Sequence, residues 1–505
     1  MRCLQKSTGG ELIIGLITTL GTDVRDIIQL IEDRLAQYNY ETEQIKVSSE
    51  IIAQFDVNGS EKTSEYERIA HFMDLGDSLR TSDTRLLMKG VAAKIFERRK
   101  KITGHTGDSQ EEYIEGQPRH GVAVIINSIK HPDEVRFLRE TYSTAFHLLA
   151  VTSDLDSRKR YLTENKGMSD EEAKALLERD HDESLEYGQK TEEAFQNADY
   201  FIHITDSEKE LRSRVFRLID LIFGDPFITP TFEEYAMFMA YAASLRSADL
   251  SRQIGAVVTK NNEILSTGVN DCPRFGGGLY WSQLTDGEYQ DEPDGRDYTL
   301  GFDSNKIEQE EIISNILHEL EIDDNAENKA KVKKAGIGDL TEYGRVVHAE
   351  MEALLACSRN HIDCRNAVMY MTTFPCHNCA KHIIAAGIKD VYYIEPYPKS
   401  KALKFYTREI GTKPSDCGKV RFLPFSGVGP RRYVDLFSMA SSFSYKKQRK
   451  DKTGYRIPFD KKKALPRNNQ NGMSYLEKEL SAYLYFLEQV DKLKKNVEAT
   501  TGGLL

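Results

Sequence analysis

The chain is poor in the residues that build disulfide scaffolds and membrane spans. Its 505 residues include seven cysteines, an odd number scattered apart from one close pair, and one tryptophan. With no secretory signal at the N-terminus, a disulfide framework is not expected, and the compartment expected is the reducing cytoplasm. No run approaches the roughly 20 apolar residues that cross a bilayer, so no membrane partner is expected. A positive balance is missing too: 79 acidic residues face 68 basic ones, a net charge of −11. That argues against a surface coated in cations for non-specific duplex binding, which works by neutralising phosphates. A local basic site remains compatible with it.

What is present is enough apolar material for a proper core, 40% hydrophobic and 10% aromatic, in a length that suits two or three domains. "ELIIGLITTLG" is a short apolar run into a glycine, and "TDVRDIIQLIEDRLAQY" repeats apolar residues at helical spacing: strand, turn, helix. "GVAVIINSI", "FHLLAVTS" and "DYFIHITDS" read as further strands, and "HPDEVRFLRETY" reads as a helix. Strands alternating with helices predict a parallel sheet covered on both faces. This first domain is expected over residues 1–225, ending at "FGDPFITP", where a glycine and two prolines stop helices. A second α/β domain is expected over 226–440. It opens with the helix "TFEEYAMFMAYAASLRSA" and the hairpin "QIGAVVTKNNEILSTGVN", turning at Asn261-Asn262. An acidic, glycine-rich insertion at 275–343 interrupts it, either a lid or a solvated excursion, with one probable helix, "IEQEEIISNILHEL". Residues 441–505 read as a basic C-terminal extension and a final helix.

The stretch "TFPCHNCAKH" holds the cysteine pair, Cys376 and Cys379, at the start of a predicted helix. Residues three apart face the same way there, and a helix N-terminus favours thiolate over thiol. A catalytic zinc takes three protein ligands and leaves one position open. His348, 28 positions upstream in "VVHAEMEAL", is the best third ligand, and Glu350 stands two residues beyond it. A metal lowers the pKa of a bound water to about 7, and a neighbouring carboxylate can carry protons to a departing amine. A redox pair is one alternative. A four-ligand structural zinc is another, with His377, His382, Cys357 or Cys364 as the fourth group. The order His-x-Glu, then Pro-Cys-x-x-Cys, is the pattern of zinc deaminases.

With those residues in place, "RSADLSRQIGAVVTKNNEILSTGVND", "HAEMEALL" and "MYMTTFPCHNCAKHIIAAGIKDVYY" resemble the deoxycytidylate deaminase branch of the cytidine deaminase superfamily, over roughly residues 231–394. The resemblance implies a cytidine deaminase-like α/β/α domain. It implies Zn2+ held by His348, Cys376 and Cys379, with Glu350 as catalytic proton shuttle. It also implies Asn270 as a contact to the sugar hydroxyl, with Ala349 and Pro375 lining the substrate. From spacing alone Asn270 is equally a turn residue. Arg431, Arg432 and Lys399 are candidate cations for substrate phosphates, or part of a solvated basic face.

"IGLITTLGTDVRD" sits where a phosphate-cradling loop belongs, between the first strand and the first helix. Set against GxxxxGK[ST], Gly21 survives, but no lysine followed by serine or threonine comes after it. Together with "HPDEVRFLRE" and "LLAVTSDLDSRKRYL", the domain resembles a degenerate P-loop nucleotide kinase. Gly21, Thr22 and Asp23 would then hold a nucleotide through backbone N–H groups, with Arg158 and Arg160 as phosphate partners; a pure scaffold is the alternative. The pairing of the two domains resembles the bacterial anti-phage dCTP/dCMP deaminases. That resemblance implies a free nucleotide substrate and a dimer or hexamer. A regulatory nucleotide, an inhibitory RNA or a partner protein is expected to restrain the activity. A polynucleotide deaminase acting on tRNA or single-stranded DNA, and a sensor with a vestigial deaminase, are the rival expectations.

Overall fold

A computed structural model of the chain describes residues 10–56, 64–103, 119, 121–181, 191–204, 207–397, 400–440, 445–467 and 474–501. The chain divides into two compact units, one of Met1–Pro230 with Ser426–Leu505, the other of Thr231–Phe425.

The first unit is built on β1 (Leu12–Thr18), β2 (Glu41–Lys46), β3 (Val122–Ile129), β4 (Phe146–Thr152) and β5 (Tyr200–His203). They lie parallel in the order β2-β3-β1-β4-β5. All seven residues of β1 are buried, as a central parallel strand covered on both faces requires, and this is why its sequence is a continuous apolar run. Helices Arg25–Ala36 and Glu208–Ile222 turn Ile27, Ile31 and Leu35, and Leu211, Val215 and Leu218, into one core with β1.

The C-terminal residues belong to this unit. Ser426–Leu505 were expected partly in the second domain and partly as a separate extension. Instead, the short strand Gly427–Val428 pairs antiparallel with β5, and helix Ser474–Thr501 packs along helix Leu86–Thr103. The physical reason is a buried charge cluster. Arg99 donates to Glu11 at 2.6 Å and to Glu479, Arg119 donates to Glu11 at 2.7 Å, and Tyr475 Oη donates to Glu11 at 2.8 Å. Glu479 therefore reaches into the unit from the last helix, because a charge left unpaired at that depth is strongly unfavourable.

The second unit starts at a capping box. The Thr231 hydroxyl accepts from the Glu234 N–H at 3.2 Å, and the Glu234 carboxylate accepts from the Thr231 N–H at 2.8 Å, opening helix Phe232–Ser244. Strands β6 (Gly255–Lys260) and β7 (Glu263–Val269) form the expected hairpin, with Asn261 and Asn262 at φ 54° and 60°. Two successive left-handed residues match the strand twist, the reason asparagine suits both positions. Within the insertion, β8 (Gln283–Thr285) and β9 (Glu288–Gln290) pair as an exposed hairpin, and helices Ser304–Glu319 and Ala326–Lys334 follow. The remaining strands are β10 (Val368–Thr373), β11 (Asp390–Glu395), β12 (Ile410–Gly411) and β13 (Val420–Pro424). The sheet order is β12-β13-β11-β10-β6-β7, parallel from β12 to β10 and antiparallel beyond. Helix Ala349–Arg359 lies directly on β7. A Cβ at Gly268 would stand 2.0 Å from the Ala349 carbonyl oxygen, so only glycine lets strand and helix approach this closely.

Candidate metal centre

Two helix starts converge at the carboxyl end of β10. His348 precedes helix Ala349–Arg359 as its N-cap. Cys376 is the N-cap of helix His377–Ala385, its sulfur accepting from the Cys379 N–H at 3.4 Å. The one-turn spacing brings both sulfurs to one side. His348 Nδ1 lies 3.4 Å from the Cys376 sulfur and 3.3 Å from that of Cys379, and the three ligand atoms all lie within 4.8 Å of one another. A tetrahedral zinc with bonds of about 2.3 Å to sulfur and about 2.0 Å to nitrogen would set nitrogen and sulfur roughly 3.5 Å apart. The donor set fits that ion in chemistry and in spacing.

The three donors and Glu350 are close enough to shift one another's protons. Hydrogen bonding from the Cys379 thiol, opposed by burial, and the adjacent imidazole bring Cys376 down to about 4. The bond with Cys376 lifts His348 to about 9, and the same sulfur pushes the Cys379 thiol well above its usual range. Burial raises the Glu350 carboxyl to about 7 against the pull of His348. Glu350 is 4% exposed and sits in the first turn of the helix that His348 caps.

Among the described residues no fourth histidine, cysteine or carboxylate joins the cluster. Cys357 donates to the Ser266 hydroxyl at 3.1 Å, and the His382 ring is bound to the Asn378 carbonyl at 2.8 Å. Three protein ligands, two of them in a cavity wall, with no fourth among the described residues, is the arrangement of a catalytic zinc. The cavity measures about 230 Å³, and His348, Glu350 and Cys376 form part of its wall.

The family model for the cytidine and deoxycytidylate deaminase zinc-binding region matches residues 230–395. The deoxycytidylate deaminase of Enterobacteria phage T2 is 31% identical over 163 residues, 32% of this chain and 79% of that protein. The phage T4 deoxycytidylate deaminase is 30% identical over 165 residues, covering 32% and 77%. This chain belongs to the cytidine and deoxycytidylate deaminase family. Zinc is the cofactor of the matched region, and the cluster of His348, Cys376 and Cys379 could hold it. The solved dCMP deaminase of cyanophage S-TIM5, in complex with dCMP and dUMP, aligns over 39% of this chain and all of that one at 20% identity, with a TM-score of 0.23.

The other expected site residues of this deaminase-family unit are placed as follows. Asn270 is buried and lines the cavity. Its amide oxygen accepts from the Ile254 N–H and its amide nitrogen donates to the Arg252 carbonyl, both at 2.7 Å, so it clamps the loop that enters β6. Ala349 is buried beneath β7 as the first residue of the helix, and the Pro375 carbonyl accepts from the Ser400 hydroxyl at 2.7 Å. Among the described residues, the expected phosphate cations Arg431 and Arg432 do not line the cavity. Arg432 is buried in the other unit, paired with Asp199 at 3.2 Å and donating to the Phe146 carbonyl at 2.6 Å. Arg431 in that unit donates to the Gln196 carbonyl. Both lie on helix Pro430–Phe437, after the strand that joins the first sheet. Lys399 falls outside the described residues.

Among the described residues, Arg252 is the cation that lines the cavity, 3.2 Å from Glu395 and half exposed. It stands three residues before the first strand of the matched hairpin, and a sequence reading focused on charge clusters passes over a lone arginine. Tyr397 and, from the insertion, Asp297, Asp303, Asn305 and Thr341 complete this wall. No local pattern in the sequence signals which insertion residues turn inward.

Gly21, Thr22 and Asp23 lie in the first unit between β1 and helix Arg25–Ala36. Gly21 is left-handed at φ 80°. Three of the loop's backbone N–H groups are engaged internally. Leu20 donates to Asp180 at 2.9 Å, Thr22 to the Thr19 carbonyl at 3.2 Å and Arg25 to Asp23 at 3.1 Å. Arg158 donates to the Leu20 carbonyl and pairs with Asp180 at 3.0 Å, so it closes the loop instead of facing a phosphate; Arg160 is exposed.

Proposed function

We propose that the chain is a zinc-dependent hydrolase that deaminates deoxycytidine nucleotides, dCTP or dCMP, to deoxyuridine nucleotides and ammonia. The observation that carries this is the buried Glu350 carboxyl beside the His348, Cys376 and Cys379 ligand set, in a cavity sized for a single base and sugar. When bound, zinc supplies Lewis acidity and a water made nucleophilic near neutral pH. Glu350 would take one proton from the attacking water and give it to the ring nitrogen, then take the proton of the added hydroxyl and give it to the departing amine, which leaves as ammonia, general acid–base work at hydrogen-bond range. Asn270, by clamping residues 252–254, orients the loop against which the sugar rests. Arg252, at the rim, is the cation for the nucleotide's phosphate.

A confined cavity walled in part by the insertion favours a free nucleotide over a strand of nucleic acid. The finer reading is an enzyme of the cytoplasm that depletes dCTP during phage infection, assembled as a homo-oligomer and restrained through the first unit. It is supported by the pairing of this deaminase unit with a parallel-sheet unit in the order 2-3-1-4-5. In that unit the β1 loop sits where neighbouring strands lead away in opposite directions, the place where open sheets bind ligands. Its internally closed loop lacks the lysine of phosphoryl transfer, so we assign the unit a kinase-like scaffold without kinase activity.

The test is ammonia release by the purified protein from dCTP, dCMP, cytidine and a cytosine-containing oligonucleotide. Reaction of the deoxynucleotides is expected; reaction of the oligonucleotide alone would overturn the substrate class.

A further inference from the structure

The first unit contains a second cavity, of about 230 Å³, apart from the closed β1 loop. It opens at the carboxyl ends of β2 and β3, where Lys46 ends one strand and Asn127, Ser128 and Lys130 end the other. Helix Glu65–Ser82 forms the opposite wall with Arg68, Ile69, Phe72, Met73 and Arg80. Among the described residues, four cations line this space and no carboxylate does. Arg80 is 3% exposed and is fixed by Glu134 at 2.9 Å. Lys130 is fixed by the Thr18 carbonyl at 2.6 Å, and Arg68 by Glu65 at 2.9 Å. The charges are thus held in place before any ligand arrives, which lowers the cost of ordering them on binding.

Several polar groups here are unused. The Lys46 ammonium, the Ser48 and Ser128 hydroxyls and the Asn127 amide line the cavity and make no hydrogen bond or ion pair with the described residues. They are donors with free capacity beside three anchored cations, a set that matches phosphate oxygens. The remaining wall is apolar and includes one aromatic ring, Phe72, beside Ile69 and Met73. Cations at one side and an aromatic–aliphatic face at the other divide the cavity as a nucleotide divides, phosphate from base. Its position outside the carboxyl ends of parallel strands is where open α/β sheets take ligands.

We propose that this cavity binds a phosphorylated nucleoside, with the phosphate among Lys46, Arg68 and Lys130 and the base against Ile69 and Phe72. The site is independent of the deaminase reading, since it lies in the other unit and its occupancy is measured without turnover.

The experiment is equilibrium dialysis of the full-length protein with labelled dTMP, dGMP and dTTP, which carry no cytosine amine, and with inorganic phosphate and thymidine as competitors. Saturable binding of at least one of the nucleotides is expected, with thymidine and phosphate each competing at least tenfold more weakly. Lys46→Glu, a change at an exposed side chain, should weaken binding at least tenfold, and Phe72→Ala should weaken it independently. Arg252→Gln, in the deaminase cavity, should leave it unchanged. Thermal melts identify any variant that fails to fold, and Lys46→Gln replaces Lys46→Glu if that one does. No binding of any of the three nucleotides, affinity unchanged by the Lys46 substitution, loss of binding in Arg252→Gln, or phosphate competing as well as the nucleotide would each overturn the proposal.

Discussion

At the residue scale the central facts concern where single charges stand. Glu350 is buried against a ligand set that draws positive charge, so its carboxyl is placed to exchange protons with whatever occupies the cavity. Arg252 is its counterpart at the rim. It is half exposed and bound to Glu395 by one arm, leaving the rest of its fork for an anion. Arg252→Gln is expected to raise KM for dCMP or dCTP about tenfold to hundredfold, the value of a charge-assisted hydrogen bond, while activity on deoxycytidine changes little. Equal loss on nucleotide and nucleoside would remove Arg252 from phosphate binding. His147 makes a different point. It is fully buried, and burial, reinforced by Arg432, pushes its pKa down to about 3. The unfolded imidazole titrates near 6.5. The unfolded chain therefore binds the extra proton first, and the stability this group contributes is present above about 6.5 and lost as pH falls toward 3. Replacing it by leucine should flatten the acid decline of the first unit's urea midpoint, by up to about 1.4 kcal/mol per pH unit in that window. Curves that superimpose would show that His147 does not carry the effect.

At the element scale the centre depends on close contact between β7 and the helix behind His348. The helix can carry His348 and Glu350 to the cavity only because Gly268 admits its backbone within van der Waals range, and Gly255 does the same for helix Phe232–Ser244. A Cβ at Gly255 would stand 1.9 Å from the Ala240 carbonyl oxygen. Gly268→Ala is expected to cost about 1–3 kcal/mol or more through overpacking. It should also lower zinc content, because the displaced helix carries one of three ligands. Wild-type zinc content and melting would show that the helix can shift without cost. Elements were the most legible level in the sequence. The apolar runs of β1, β3 and β4 are buried, and Asn261-Asn262 turns the hairpin. The pair Cys376 and Cys379 with His348 was legible because a metal needs fixed chemistry at a fixed spacing. The inward-facing residues of the insertion were not, because their orientation depends on tertiary packing that leaves no periodic trace. For the same reason a basic C-terminal stretch gave no sign that Arg432 would be buried beside Asp199.

At the scale of the whole molecule, the chain returns at its end to the unit it began with. Glu479 and Tyr475 complete a cluster that otherwise buries Arg99 and Glu11 with too few partners. Glu479→Ala should therefore destabilise the first unit by about 3–5 kcal/mol, the cost of breaking a buried pair, and should leave the zinc content of the second unit unchanged. A loss below 1 kcal/mol by urea unfolding would show that water reaches the cluster. The two units thus carry separable tasks, chemistry in one and, by the cavity at Lys46, ligand binding in the other. The account stands or falls on Glu350 beside a bound zinc. The decisive measurement is ammonia release from dCMP and dCTP by wild-type protein and Glu350→Gln, with zinc determined in the same samples. The account predicts about one zinc per chain in both and a fall in kcat of about 10²–10⁴ in the variant. A variant that keeps full activity, or active wild-type protein with no zinc bound, would contradict it.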